Sequence, residues 1–550
     1  MVKRIFKNGT AFFLSKQADI LSAATIIMFM SLASGFLGLV RDRLMASHFT
    51  PDLVGIYFAA FRLPDFAFQV LIFGALSVAF IPVFTNYWQK DEKEAWQLAA
   101  SLLNIAIVAF ILIILVFFLF LKPLSFLLVP GLLREKPEHL DLFLNLTRII
   151  LLSQLFFVFS SFLTGILQSS QRFLLPAVAS VFYNLGIIAG IIFLVPIFGI
   201  YGVMLGVILG AFFHFLIQLP LAYKLGFRPQ LKFNLFHPGV KEIGRLMLPR
   251  SLALAAQQTN LFVNTALASL ISLSSITFLT FAQHLAFVPL NLFGTAISQA
   301  AFPTLSVVKN QNKIEEFKST LLLSLHQILF LTVPAVTALF ILHTPLTRLV
   351  FGARLFTWEA TFLTGWTLAF LSLGIIAQAG SSLLMRAFYA IHDTKTPLKV
   401  NLITVGINVL MSIVFIRFLN LPVWSLGISA SLGAFLNLFF LLILLDGKVD
   451  KFNRRELLLP AFKILTASLV MAFFLWGPLK LFDQLVFDTK YTVDLIMETT
   501  IVSIIGLISY LFLAWLLEIK EAEGFLVVFR KIGNWRRVLS QQEELLEEKI

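Results

Sequence analysis

Apolar stretches long enough to cross a lipid bilayer recur along the whole chain. A helix of about 20 apolar residues spans the hydrocarbon core, where its backbone groups satisfy one another. Hydrophobic residues make up 59% of the chain and charged residues only 13%, which is more apolar surface than a soluble domain can bury. The sequence therefore predicts an all-α polytopic membrane protein with about 14 transmembrane helices. The predicted spans are 20–45, 53–86, 95–121, 141–167, 173–196, 199–224, 243–271, 275–307, 318–342, 359–388, 397–418, 422–445, 457–479 and 495–518.

An internal duplication organises these spans. The sequence ALSVAFIP at 75–82 returns as AISQAAFP at 296–303, and Pro176 returns as Pro397, each 221 residues later. Membrane proteins built from like-oriented repeats are typically transporters whose substrate site lies between the two halves. The duplication predicts two six-helix repeats, each forming one lobe, followed by two further helices.

The predicted organisation places both termini in the cytoplasm, because the loops on that side carry most of the Lys and Arg residues. This arrangement accounts for most of the net charge of +13, and no nucleic-acid partner is expected. The first apolar run is expected to stay as a span, not to be removed as a signal peptide. The predicted segments are an N-lobe at 1–224 (spans 1–6), a cytoplasmic linker at 225–242, a C-lobe at 243–446 (spans 7–12), spans 13 and 14 at 447–518, and a cytoplasmic tail at 519–550.

Polar side chains inside spans 1, 2, 7 and 8 form the candidate substrate site. Charges at bilayer depth are costly, so they usually face the protein interior. Arginine outnumbers the acidic residues here, which favours an anionic substrate, and guanidinium groups match phosphate oxygens well. The candidate substrate-binding residues are Arg41, Arg43, Arg62, Asp65, Arg250, Gln257, Asn260, Asn264, His284 and Asn291.

Several of these residues have simpler interpretations. Arg41 and Arg43 could lie at the membrane interface with their side chains reaching towards water. Arg62 and Asp65, three residues apart on a helix, could merely neutralise each other. Arg250 could be only a cytoplasmic anchor of span 7.

Two further alternatives concern neutral groups. The amide stripe of Gln257, Asn260 and Asn264 could serve to join helices, and His284 could be a hydrogen-bonded interior histidine.

No nucleophile–base cluster, metal-ligand spacing or phosphate-binding loop is evident, and the chain has no cysteine. The sequence predicts a protein that is not an enzyme and uses no cofactor.

Five short motifs carry a family resemblance. They are GLVRD at 38–42, FRLPD at 61–65, GALSVAFIPVF at 74–84, LPR at 248–250 and RAFYAIHDTKTP at 386–397. In this order the motifs resemble those of the MurJ (MviN) lipid II flippases, within the multidrug/oligosaccharidyl-lipid/polysaccharide exporter superfamily. The resemblance covers essentially the whole chain, including the two C-terminal spans outside the duplication.

The resemblance implies a specific function. Members move lipid II, the undecaprenyl-pyrophosphate-linked peptidoglycan precursor, from the inner to the outer leaflet of the bacterial cytoplasmic membrane by alternating access. It further implies a cationic central cavity for the anionic headgroup and a groove at spans 13 and 14 for the lipid tail. The expected partners are lipid II and membrane lipids, and the protein is expected to be a monomer. Whether an ion is coupled to transport is left open.

The chain also departs from the family pattern as we align it. Other members carry arginine where Gly35 stands, and an Asp–Arg pair where this chain has Gln283 and His284. Three alternatives therefore stay open: an exporter of another polyprenyl-linked saccharide, a drug exporter, or a transport-dead scaffold for cell-wall synthesis. A drug antiporter would need a carboxylate-rich cavity, which the sequence does not predict.

Overall fold

Helices account for all the regular secondary structure in the described part of the chain. The computed structural model describes residues 20–73, 79–311 and 313–522, without the side chains of 20–26, 73, 249, 253, 256, 257 and 310. Within these ranges the regular elements are helical throughout, so the prediction of an all-α protein is confirmed. The predicted cytoplasmic tail lies almost entirely outside the described residues.

The first half of the chain contains eleven α-helices within the described residues. They are α1 Ile20–His48, α2 Pro51–Phe68, α3 Ile81–Lys90, α4 Glu92–Leu128, α5 Pro130–Glu135, α6 Leu140–Ser169, α7 Leu174–Ala189, α8 Val195–Phe198, α9 Ile200–Leu216, α10 Leu219–Lys224 and α11 Pro238–Ile271. Two π-helical segments interrupt them, at Gln69–Phe73 and Gly190–Leu194.

The second half continues the series. Its helices are α12 Leu273–Pro289, α13 Ala296–Asn310, α14 Ile314–Ile341, α15 His343–Phe351, α16 Trp358–Ala390, α17 Lys395–Ile413, α18 Trp424–Asp446, α19 Arg454–Leu485 and α20 Thr492–Leu516. Two more π-helical segments lie at Leu290–Thr295 and Val414–Phe418.

Twelve helical segments among the described residues are long and apolar enough to cross a membrane. They coincide with the predicted spans other than 1 and 7. The chain is also helical over those two spans, as α1 and α11, but α11 carries Lys241, Glu242, Arg245 and Arg250 in addition to its amides. The total of 14 transmembrane helices therefore stays a prediction.

The chain divides into two compact units. Unit 1 comprises 1–281, 350–364 and 409–426, and unit 2 comprises 282–349, 365–408 and 427–550. This division follows packing, whereas the predicted N-lobe and C-lobe follow the sequence duplication. The lobe boundaries at 224 and 243 stay a prediction.

Close helix packing in unit 1 depends on glycine. Helices α7 and α9 cross where Gly186 faces Gly210 and Gly190 faces Gly206. A methyl group built on Gly186 would lie 2.4 Å from the Gly210 Cα atom, and one on Gly190 would lie 2.4 Å from the Gly206 Cα atom. Small residues at such crossings let two backbones approach, which is a main source of helix association in membranes.

In unit 2, the helices α19 and α20 pack against each other and against α14. Their shared core includes Phe330, Ile464, Met471, Val502 and Tyr510, all of them buried. The Tyr510 hydroxyl donates a 2.7 Å hydrogen bond to the Phe330 carbonyl oxygen. The two helices outside the duplication are thus joined to the rest of unit 2 by a buried apolar core.

The local geometry of the two halves shows the duplication again. Gln171 and His392, which are 221 positions apart, both adopt the left-handed conformation with φ of 59°. The following amides bond alike: Arg172 N donates to the Leu167 carbonyl and Asp393 N donates to the Phe388 carbonyl, both at 2.9 Å. The π-helical segments that begin at 69 and 290 have the same spacing.

Candidate substrate site

Arg41 lies on α1 with its guanidinium group hydrogen-bonded in two directions. Its Nε and Nη2 atoms donate to Asp42 Oδ1 at 3.0 and 2.9 Å, and its Nη1 donates to Asn184 Oδ1 at 3.3 Å. The Arg41 side chain is 15% exposed and that of Asp42 is 1% exposed. Both charges are thus largely shielded from solvent, as expected for charges in the predicted span 1.

Asn184 on α7 joins α1 to α7. Its amide nitrogen donates to the Ser34 hydroxyl at 3.0 Å, and to the carbonyl oxygens of Ser34 at 3.2 Å and Ser180 at 3.3 Å. The Ser34 hydroxyl in turn donates to the Ser180 carbonyl at 3.2 Å. Because both ends of the Asn184 amide are engaged, the oxygen that Arg41 contacts is held in place.

Arg62 and Asp65 lie on α2 and have different hydrogen-bond partners. Arg62 Nε donates to Thr265 Oγ1 at 2.9 Å, while Asp65 Oδ1 accepts from Gln154 Nε2 at 3.2 Å. The two charges also interact electrostatically. The geometry joins α2 to α11 through the arginine and to α6 through the aspartate.

Two tyrosines lie within electrostatic range of both groups. Tyr57 and Tyr183 each interact electrostatically with both Arg41 and Asp65. Tyr57 is 2% exposed. We use the name polar cluster for the set Arg41, Asp42, Tyr57, Arg62, Asp65, Gln154, Tyr183, Asn184 and Thr265.

The amide stripe of α11 is present in part. Asn264 is 6% exposed, and its Nδ2 donates to Asn260 Oδ1 at 3.4 Å. The next residue, Thr265, donates its hydroxyl hydrogen to the Leu261 carbonyl at 2.9 Å, which leaves its oxygen to accept from Arg62. The side chain of Gln257 lies outside the described residues.

The remaining predicted site residues differ in their exposure. Arg43 is exposed, and its Nη1 donates to the Val350 carbonyl at 3.2 Å. Arg250 is exposed on α11. His284 and Asn291 belong to unit 2, where His284 is half-buried and Asn291 is exposed on a π-helical segment. Among the described residues, no group of three or more His, Asp and Glu side chains is placed to hold a metal ion.

Sequence reasoning missed the neutral members of the polar cluster. Gln154, Asn184 and Thr265 are each buried. Gln154 and Asn184 are amides in otherwise apolar stretches of α6 and α7. An isolated amide in a membrane helix usually bonds across to another helix, so this signal could have identified both residues.

The cluster balances its formal charges. Two arginines stand with two aspartates, which lowers the cost of keeping the guanidinium groups away from water. A guanidinium offers five N–H donors in a planar fork that matches carboxylate and phosphate oxygens alike. The cluster is therefore chemically suited to exchange an internal carboxylate for an external anion.

Comparison with known proteins identifies the family. The family model described as lipid II flippase MurJ matches residues 45–493. The chain belongs to this family. A protein named "Probable lipid II flippase MurJ" from Buchnera aphidicola subsp. Acyrthosiphon pisum (strain APS) is 29% identical over 515 residues, which cover 92% of this chain and 99% of that protein.

Solved structures share the fold. A structure described as "Lipid II flippase MurJ, inward closed conformation" has a TM-score of 0.74 at 24% identity, covering 89% of this chain and 98% of its own. An inward-facing multidrug resistance MATE family transporter of the MOP superfamily has a TM-score of 0.63 at 16% identity, covering 78% and 98%. As a member of this family, the chain is a transporter and not an enzyme, and the twelve apolar helical segments among the described residues agree with a multi-pass membrane protein.

Proposed function

We propose that this MurJ-family chain moves lipid II from the inner to the outer leaflet of the bacterial cytoplasmic membrane, with both of its termini in the cytoplasm. The observation that carries the proposal is the guanidinium of Arg41, which is 15% exposed and is held by Asp42 and Asn184 on α1, the predicted span 1. Family membership supports the substrate, since relatives with this fold carry the name lipid II flippase.

In the proposed mechanism, the diphosphate of the substrate replaces Asp42 as the principal partner of Arg41. A diphosphate offers more oxygen acceptors than a carboxylate, and charge-assisted hydrogen bonds in a water-poor site are strong. Arg62 supplies a second cation one helix away, oriented by Thr265. The exchange of partners gives a cluster that stays neutral when empty and binds an anion when substrate arrives.

The remaining steps of the proposal concern the whole chain. The two lobes alternate between inward-open and outward-open states, and Arg250, Gln257, Asn260, Asn264, His284 and Asn291 add neutral or basic contacts for the headgroup. The lipid tail lies along α19, where Phe462, Leu469 and Phe473 form an exposed apolar stripe at helical spacing. Keeping the tail in lipid avoids carrying it through a polar site.

Translocation in proteoliposomes tests the proposal. The wild-type protein is expected to move labelled lipid II between leaflets, and Arg41→Ala is expected to slow this by about tenfold or more, because a charge-assisted hydrogen bond contributes about 1.5–3 kcal/mol. Arg41→Lys is expected to restore the rate only in part, since lysine lacks the bidentate fork.

Arg148→Ala serves as the matched control, because the half-buried Arg148 on α6 bonds to Asn145 of its own helix and lies over the Phe118 ring. It should leave the rate unchanged. Translocation of lipid II by the Arg41→Ala protein at the wild-type rate would contradict the proposed role of the polar cluster. Absence of translocation by the wild-type protein would favour a different polyprenyl-linked saccharide or a scaffold.

A further inference from the structure

Unit 1 contains a second polar feature, a cavity of about 410 Å³. Residues of α1, α6, α7 and α9 and the π-helical segment after α2 line this cavity. Its volume lies within the range of roughly 300–1,000 Å³ that is usual for small-molecule sites. The polar cluster does not account for it, because none of the cluster residues lines it.

The lining combines apolar and uncharged polar side chains with one histidine, and among the described residues it contains no Lys, Arg, Asp or Glu. Hydroxyl and amide side chains alternate with the rings of Phe68, Phe157 and Phe173. The polar residues used in the argument are Ser31, Gln69, Ser161, Gln168 and His214. Aromatic walls with a few placed hydrogen-bonding groups are typical of sites for neutral organic ligands. No described lysine or arginine lines the cavity to neutralise a diphosphate, so burying a diphosphate there would be costly.

A buried network fixes the ring of His214. Its Nδ1 lies 2.6 Å from the Ser160 hydroxyl oxygen, which also accepts from Gln218 Nε2 at 2.7 Å. Gln218 Oε1 accepts from the Thr164 hydroxyl at 2.8 Å, and both Ser160 and Gln218 are fully buried. The network uses Nδ1 and leaves Nε2 as the ring nitrogen that can serve a ligand in the cavity.

A short chain of hydrogen bonds leads from the cavity to Arg41. Ser180 lines the cavity, and its carbonyl oxygen accepts from Asn184, whose own amide oxygen accepts from Arg41. Ser31, another lining residue, lies one helical turn before Ser34 in the same network. The cavity and Arg41 are thus joined through the same two helices, α1 and α7.

We propose that this cavity binds the uncharged saccharide of a polyprenyl-diphosphate-linked substrate, while its diphosphate faces Arg41. The inference rests on the proposed function and extends it with a separate sugar site inside unit 1. Sugar hydroxyl and acetamido groups pair with neutral amides and hydroxyls, and the phenylalanine rings offer apolar faces to the sugar ring. The cavity would then recognise the saccharide of the headgroup, and Arg41 would bind its negative charge.

Binding to the purified full-length protein in nanodiscs tests the inference. The two probes are undecaprenyl diphosphate and the same lipid carrying the disaccharide without its peptide. Gln69→Leu and Ser161→Ala are each expected to weaken binding of the disaccharide lipid by about threefold to tenfold, the effect of one neutral hydrogen bond. Neither variant should change the affinity for undecaprenyl diphosphate, whereas Arg41→Ala should weaken binding of both lipids.

The matched control is Thr466→Val, because that hydroxyl donates to the Phe462 carbonyl of its own helix in unit 2. It should alter neither affinity. Wild-type protein that binds the two lipids equally well would overturn the saccharide site and leave the proposed function standing. Equal losses for both lipids in Gln69→Leu and Ser161→Ala would also overturn it. Wild-type protein that binds neither lipid would overturn the proposed function and the inference together.

Discussion

At the scale of single residues, the pairing of Arg41 with Asp42 explains how a guanidinium group is kept largely away from solvent. Neighbouring residues on a helix do not normally face each other, yet here the arginine folds back onto the carboxylate beside it. Asn184 supplies the third contact from a different helix. The pair is therefore oriented by α7 as well as by its own helix.

Replacing Asn184 tests this orienting role. Asn184→Leu keeps a similar volume but removes the hydrogen bonds to Arg41, Ser34 and Ser180. Hydrogen bonds between membrane helices contribute about 0.6 kcal/mol each on average, so we expect about 1–3 kcal/mol of destabilisation in total. Thermal unfolding in detergent measures it, together with slower lipid II translocation.

Asn145→Leu makes the same chemical change at an exposed position of α6, where the amide oxygen accepts from Arg148. Its unfolding temperature and transport rate should stay close to wild type. A variant Asn184→Leu that transports as fast as Asn145→Leu would show that Arg41 does not need its partner on α7.

The sequence predicted the charged residues of the polar cluster better than the neutral ones. Arg41, Arg62 and Asp65 could be chosen because a charge inside an apolar span is itself a signal. Gln154 and Thr265 could not be predicted as cluster residues in this way, because their role depends on which residue of another helix they contact. The sequence also predicts Arg43, which donates to the Val350 carbonyl.

At the scale of helices, the crossing of α7 and α9 depends on glycine. Gly186→Ala places a methyl group 2.4 Å from the Gly210 Cα atom, where only backbone can give way. We expect a loss of about 1–3 kcal/mol, typical of overpacking, despite the better helix propensity of alanine. Thermal unfolding in detergent measures the change.

Gly406→Ala on α17 is the matched control, since a methyl group there would meet no atom within 4 Å among the described residues. It should be neutral or stabilise by up to about 1 kcal/mol through helix propensity. Equal unfolding temperatures for the two variants would argue against close packing of α7 on α9.

The start of α17 is stabilised by Asp393. Its Oδ1 accepts from the backbone amides of Lys395 at 3.1 Å and Thr396 at 3.0 Å, and Lys448 bonds to its Oδ2. Burial alone would raise the pKa of the Asp393 carboxyl, but the hydrogen bonds from Lys448 and Thr396 lower this pKa well below its ordinary value. The equivalent residue of the first repeat is Arg172, and α7 begins without a side-chain cap.

The lowered pKa gives a signed prediction. The carboxylate stabilises the folded protein above the ordinary aspartate pKa of about 3.9, and this contribution is lost as pH falls towards the folded pKa. We expect Asp393→Asn to lower the unfolding temperature most at neutral pH, with the difference from wild type shrinking as pH falls below about 4. Lys448→Met should reproduce part of this difference, and a difference independent of pH would contradict the assignment.

The positions of the helices could be predicted from the sequence, whereas the π-helical segments between them could not. Among the described residues, the predicted apolar spans fall on helical segments, because length and apolarity decide where a chain can cross a membrane. The π-helical segments at 69–73 and 290–295 were not predicted. They depend on packing against other helices, as with Ser251, whose hydroxyl donates to the Val70 carbonyl at 2.5 Å.

At the scale of the whole molecule, the proposed mechanism is an exchange of partners: the charge-balanced polar cluster exchanges an internal carboxylate for the diphosphate of lipid II. The duplication predicts a protein that alternates between two states, and a MATE transporter of the MOP superfamily shares the fold. The resemblance placed more arginines in this site than the chain has. The balanced cluster offers one way in which fewer cations suffice.

The most direct measurement is lipid II exposure on the outer leaflet of cells depleted of their own flippase and expressing this chain. The account predicts that the wild-type chain restores exposure and that Arg41→Ala does not, at equal membrane levels of the two proteins. Restoration by both proteins would contradict the role of Arg41. Restoration by neither, with both present in the membrane, would contradict the flippase function itself.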